Sequence, residues 1–218
     1  MRTVLLDVDG TLVNSSRPIL GALNTALTNL GLAEVNGADL WKHVGPPLQQ
    51  ALDSLLRRRG DDVGLLPRLM DGYGRAYQPM SLELASTYPG VRKMLSSLDG
   101  RFRLGVVTSK PRAYAEPILV RLGFAEMMEV IEGPDVSLET EPKTVTLARA
   151  LCAMAIDDPM TAVMVGDRRH DIEAGHACST RTVGVTWGFG SRQELEDAHA
   201  EALIDSPDEL VGVIHDRL

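Results

Sequence analysis

The chain has 218 residues, enough for one large domain or for a core that carries a modest second one. Apolar residues make up 44% and charged residues 24%, an ordinary globular balance that excludes a disordered chain. A net charge of -8 argues against a protein built to hold a nucleic-acid backbone, and the longest apolar runs are strand-sized, too short to span a membrane as a helix. Cys152 and Cys178 show no metal-type spacing and form no Cys-x-x-Cys pair, so reduced thiols in a cytoplasmic protein are expected. A first strand at Thr3 leaves no room ahead of it for a signal peptide, which points to the same compartment.

The first apolar run, TVLLD (3–7), predicts a strand that delivers Asp7 and, two residues later, Asp9 followed by Gly10 and Thr11. Apolar residues at helical spacing then run from Pro18 to Leu30, and Gly31 stops them. Further helical patterns follow at Trp41 to Val44, Leu48 to Arg59 and Val63 to Tyr77, with a Gly-Pro-Pro turn at 45–47. Beyond them, helices are predicted over Gly90 to Leu98, Ala113 to Leu122 and Lys143 to Met154. These alternate with strands at FRLGVVTS (102–109), the weaker MEVIEG (128–133), TAVMVGD (161–167) and RTVGVTW (181–187). Short runs rich in Val, Leu and Met suit strands buried on both faces. The predicted fold is therefore α/β, a Rossmann-like parallel sheet with helices on both faces. A crossover needs only one helix, so the surplus between the first two strands predicts an inserted helical subdomain at 15–84, with the core at 1–14 and 85–218.

Loops at the carboxyl ends of such strands converge on one crevice. Asp7 and Asp9 leave the first strand, Thr108 and Ser109 the second, and Asp167 a later one; Asp171 lies just beyond, and Lys143 opens a helix. Several carboxylates in one cleft repel each other unless a hard cation joins them, and carboxylates plus substrate phosphate are what Mg²⁺ prefers. Lys143 at a helix N-terminus makes sense if an anion sits between it and the helix end. This collection describes a phosphoryl-transfer site with Asp7 as carboxylate nucleophile.

Four segments in order, Asp7-Val8-Asp9-Gly10-Thr11-Leu12, Val107-Thr108-Ser109-Lys110-Pro111, Lys143 before a helix, and Val165-Gly166-Asp167-Arg168-Arg169-His170-Asp171, resemble the motifs of the haloacid dehalogenase superfamily of phosphatases. Thr87-Tyr88-Pro89-Gly90-Val91 and Trp187-Gly188-Phe189-Gly190-Ser191 resemble its phosphoglycolate phosphatase-like branch, so the likeness covers nearly the whole chain. The resemblance implies that Asp7 forms an aspartyl-phosphate, while Asp9 protonates the leaving group and then activates water. It implies that Thr108 and Lys143 hold phosphoryl oxygens, with Ser109 and Gly10 also at the phosphate. Mg²⁺ would be held by Asp7, the Asp9 backbone carbonyl and Asp167, supported by Asp171. The insert at 15–84 resembles this branch's small cap, where His43, Gly45 and Pro46 would contact substrate. A small phosphorylated metabolite is the implied partner, with no nucleic acid, no membrane, and a monomer or small homo-oligomer.

Some readings stay open. The third motif reads Glu141-Pro142-Lys143, with lysine after proline, which leaves Lys110 as the other phosphate-binding lysine. Leu6 stands where the family usually has an aromatic residue, and Ala177-Cys178-Ser179 replaces a glycine-containing turn. Asp171 also suits a helix cap, Trp41 a place in the cap's core, and His170 a turn. Arg57-Arg58-Arg59 ends a helix and suits a solvated face. A phosphomutase of the β-phosphoglucomutase type shares the motifs; a dehalogenase would not need Asp9. A phospho-receiver module also gathers acids, Thr/Ser and Lys at strand ends, but lacks a helical insert after its first strand.

Overall fold

The computed structural model describes residues 2–37, 48–135 and 141–216. A six-stranded sheet forms from β1 (Thr3–Leu6), β4 (Arg103–Val107), β5 (Val130–Glu132), β6 (Ala162–Gly166), β7 (Arg181–Val185) and β8 (Ala202–Ile204). Its order is β5-β4-β1-β6-β7-β8, and every pairing is parallel. Side chains that alternate along each strand explain why the runs are continuously apolar. Val4 and Leu6 of β1, with Val163 and Val165 of β6, enter one core cluster, whereas Leu5, Ala162 and Met164 enter the cluster on the opposite face. Helices cover both faces: Val91–Leu98, Arg112–Arg121, Lys143–Ala153, Arg169–Ala177, Arg192–Asp197 and Leu210–Asp216.

The chain reverses direction across the sheet at β1, which pairs with β4 on one side and β6 on the other. That is the topological switch point where open α/β sheets place ligands. The register opposes Leu6 to both Val106 and Val165, so the residues after these three strands emerge side by side. They are Asp7, then Val107-Thr108, then Gly166-Asp167.

Between β1 and β4 lies the helical insert, with α1 (Ser16–Asn29), α2 (Leu48–Arg59) and α3 (Leu66–Leu84). It has its own core, in which Leu23, Leu27, Leu52, Leu56, Leu69, Tyr73 and Tyr77 are buried. A two-stranded antiparallel ribbon, β2 (Val13–Asn14) with β3 (Ser86–Thr87), carries the chain in and out of it. The helix predicted over Val63 to Tyr77 begins instead as a short 3-10 turn at Val63–Leu65 and continues as α3 to Leu84, past Pro79. Proline removes one helical hydrogen bond, but burial of Tyr77 and Ser81 on either side holds the helix together. The segment 41–47, with the expected cap contacts His43, Gly45 and Pro46 and the readings of Trp41, lies outside the described residues.

Candidate active site

The acids of the first and fourth motifs meet at the switch point. Asp7, Asp167 and Asp171 are all buried, and one carboxylate oxygen from each lies within 4.8 Å of the others. Among the described residues these three form the one such acidic cluster able to hold a metal ion. Local backbone explains how they approach. Gly10 has φ +90, and a Cβ there would lie 2.1 Å from Asp167 Oδ2. Gly188, after β7, is equally tight, since its Cβ would lie 2.4 Å from both Asp167 Oδ2 and the Gly10 carbonyl oxygen. Only residues without a side chain let these two loops close around the carboxylate.

One ammonium answers the triad. Lys143, at the first turn of its helix, places Nζ 2.8 Å from Asp7 Oδ1 and in an ion pair with Asp171 Oδ1. Burial disfavours the lysine charge, but Asp171 and Asp7 outweigh it and raise the Lys143 pKa. The remaining imbalance appears on the acids. Burial, against the pull of Lys143, pushes Asp7 up to about 6. Burial, then repulsion from Asp171 and Asp7, lifts Asp167 well above the ordinary carboxylate range. Asp167 gains partial relief because its Oδ2 accepts from the Phe189 N–H at 2.7 Å.

Asp171 takes the helix-cap position that its sequence also suits. Its Oδ2 caps the helix Arg169–Ala177 by accepting from the Arg168 N–H at 2.9 Å, while Oδ1 faces Lys143. Of the two candidate lysines, Lys143 stands against Asp7, whereas Lys110 Nζ lies 2.5 Å from Asp9 Oδ1. Thr108 is buried at the end of β4, its Oγ1 accepting from the Lys110 N–H at 3.1 Å, and Ser109 follows it half-buried. His170 lies in the first turn of the helix Arg169–Ala177 and not in the loop turn expected for it; burial, then Arg168, lowers its pKa. The three arginines of α2 are partly absorbed in structure: Arg57 pairs with Asp53, and Arg59 with Asp61.

Several contacts escaped the sequence. Trp187 donates its Nε1–H to the Thr11 carbonyl at 3.1 Å, and the Phe189 N–H reaches Asp167. Both come from the loop Trp187 to Ser191, whose resemblance to the branch motif marks the segment but not these contacts, and whose glycines, Gly188 and Gly190, follow a strand end. Tyr77, from α3, accepts a hydrogen bond from Lys110 Nζ at 2.5 Å, a contact that no spacing announces.

Chemically, the cleft offers an oxygen-only cluster suited to a hard divalent cation, a buried ammonium, a strand-end hydroxyl and a separate acid on Asp9. The comparisons fit this arrangement. The pattern of the haloacid dehalogenase-like hydrolases matches residues 4–185. A phosphoglycolate phosphatase of Cupriavidus necator is 30% identical over 97% of this chain and 92% of its own length. The protein named tyrosine-protein kinase PtkA of Mycobacterium tuberculosis is 33% identical over 96% of this chain and 72% of its own length. The crystal structure of a predicted phosphatase from Clostridium acetobutylicum superposes with a TM-score of 0.88 at 30% identity, covering 99% of this chain and 98% of that one. No helix among the described residues is long and apolar enough to cross a membrane. With its sheet order, its strand-end acids and this match over most of its length, the chain belongs to the haloacid dehalogenase-like hydrolase family.

Proposed function

We propose that the protein is a Mg²⁺-dependent phosphatase that hydrolyses small phosphomonoesters through an aspartyl-phosphate on Asp7. The observation that carries this reading is the buried triad of Asp7, Asp167 and Asp171, whose negative charge a single ammonium does not balance. The donor set fits Mg²⁺: oxygen ligands only, raised carboxylate pKa values that a cation would bring down, and a glycine-walled cradle at Gly10 and Gly188. When bound there, the ion neutralises charge on the phosphoryl oxygens. Asp7, Asp167 and the Asp9 carbonyl would hold it, with Asp171 in support.

The chain's own groups do the rest. Asp7 attacks phosphorus, forming an Asp7 O–P bond as the ester P–O bond breaks, and Asp9 gives its proton to the departing oxygen. Lys143 and Thr108, with Ser109 and the turn at Gly10, orient the phosphoryl oxygens. Asp9 then takes a proton from water, which attacks the same phosphorus and frees Asp7 and inorganic phosphate. The helices of 15–84 form a cap that excludes bulk water and reads the rest of the substrate. The phosphatase names of two of the similar proteins support the reading.

A phosphate-release panel tests it, with phosphoglycolate, sugar phosphates and nucleoside monophosphates in Mg²⁺. Release from at least one of these, lost in Asp7→Asn, is the expected result. Transfer to a second sugar hydroxyl, or from ATP to a protein tyrosine, in place of release would refute it.

A further inference from the structure

We propose that Tyr77 and Lys110 are positioning residues that tie the placement of the leaving-group acid to the seating of the cap. Tyr77 belongs to α3 of the insert, and Lys110 follows β4 of the core, yet the two meet beside Asp9. The Lys110 ammonium lies 2.5 Å from both Asp9 Oδ1 and the Tyr77 hydroxyl, and 5.0 Å from the centre of the Tyr77 ring. An ammonium has no accepting lone pair, so it donates to both oxygens and bridges them. All three groups are largely withdrawn from water: the Lys110 side chain is 8% exposed, that of Asp9 18%, and Tyr77 as a residue 3%.

The tyrosine is itself held. Its ring stacks on Tyr73 at 5.3 Å and meets Tyr114 of the helix Arg112–Arg121 edge-on at 6.3 Å. Tyr73 and Tyr77 are part of the insert's own core, so a displacement of α3 carries the hydroxyl with it. Lys110 then loses one of its two oxygen partners, and Asp9 loses the fixed cation that sets its carboxylate direction. A 1 Å misplacement of a reacting group can cost on the order of 10²-fold in rate. The device therefore makes proton delivery to the leaving oxygen depend on a seated cap. This inference rests on the phosphatase reading with Asp9 as the acid.

The test is the dependence of kcat/KM on leaving-group basicity, since this constant reports the first phosphoryl transfer. A p-nitrophenolate leaves with little protonation, whereas an alkoxide needs the acid. In Tyr77→Phe, kcat/KM for an alkyl phosphomonoester should fall about tenfold or more, a part of the ~10²–10⁴-fold that general acid catalysis supplies. For p-nitrophenyl phosphate it should change by less than about threefold, because the nucleophile and phosphate-holding groups are untouched. Lys110→Met should steepen the dependence in the same way, and the double variant should add nothing to the larger single effect, as for groups that act as one unit. Thermal melting checks each fold, and if Tyr77→Phe is destabilised, Lys110→Met decides the question. Equal losses across all leaving groups, or no loss, would overturn the positioning role while leaving the phosphatase reading intact. No turnover of any phosphomonoester by the unaltered protein would overturn that reading, and this inference with it.

Discussion

Replacing Asp7 by asparagine should stabilise the metal-free protein at neutral pH while removing its activity. Burial, only partly offset by Lys143, raises the Asp7 pKa from 3.8 to about 6. A folded-state value above the unfolded one means that folding favours the protonated acid. The stabilising contribution is thus complete below pH 3.8 and is lost as pH rises through about 6. At 1.36 kcal/mol per pH unit between the two values, charging Asp7 at pH 7 costs the metal-free fold on the order of 3 kcal/mol. Asparagine keeps the shape and carries no charge, so the variant should gain about that much at pH 7 and almost nothing at pH 3. For a chain of this size the gain is roughly 6–12 °C in Tm. Urea denaturation in excess chelator at several pH values would measure it. Adding Mg²⁺ should erase the advantage, because the ion stabilises only the carboxylate form. A variant no more stable than the parent at pH 7 in chelator would refute the claim that Asp7 is an uncompensated buried acid.

Removing the ammonium should act in the opposite sense. Lys143→Met leaves Asp7 and Asp171 without their cation, and breaking a buried pair in this way should cost about 3–5 kcal/mol in chelator at pH 7, read by the same denaturation. Chelation should abolish phosphate release, Mg²⁺ should restore it, and Ca²⁺, with its looser and higher coordination, should restore it poorly; undiminished turnover in excess chelator would sink the metal assignment. Gly188→Ala places a Cβ 2.4 Å from Asp167 and should lower kcat/KM on the order of 10²-fold by displacing that carboxylate. A Mg²⁺ titration of its activity should shift to higher concentration, and an unshifted curve would count against the cradle.

The sheet was legible because its strands are buried on both faces. Val, Leu and Met runs at 3–7, 161–167 and 181–187 leave little choice between core strand and surface element, and β1, β6 and β7 fall inside them. The edge strand β8, Ala202–Ile204, went unseen because a run of three apolar residues between Glu201 and Asp205 is too short to show a period. Helix α3 outran its reading because Pro79 is a local stop signal that burial of Tyr77 and Ser81 overrides. At the site, Asp7, Asp167, Asp171 and Lys143 could be placed together because each sits beside a strand end or helix start whose position the fold class dictates. The Lys110–Tyr77 contact could not, since it joins the insert to the core, and sequence says nothing about how two units with separate cores are seated. The same holds for the Phe189 N–H on Asp167, a backbone donor that any residue other than proline could supply.

The central claim is that Asp7 carries the phosphoryl group and Asp9 moves the protons. Mass spectrometry of protein quenched during turnover of p-nitrophenyl phosphate tests it most directly, in Asp9→Asn and Asp7→Asn side by side. Asp9→Asn keeps the nucleophile but lacks the base for hydrolysis, a role typically worth ~10²–10⁴-fold, so a phosphate adduct should accumulate on the peptide that begins at Thr3. Asp7→Asn should show no adduct anywhere. Labelling that requires Asp9 and survives the loss of Asp7 would contradict the account and reverse the two roles.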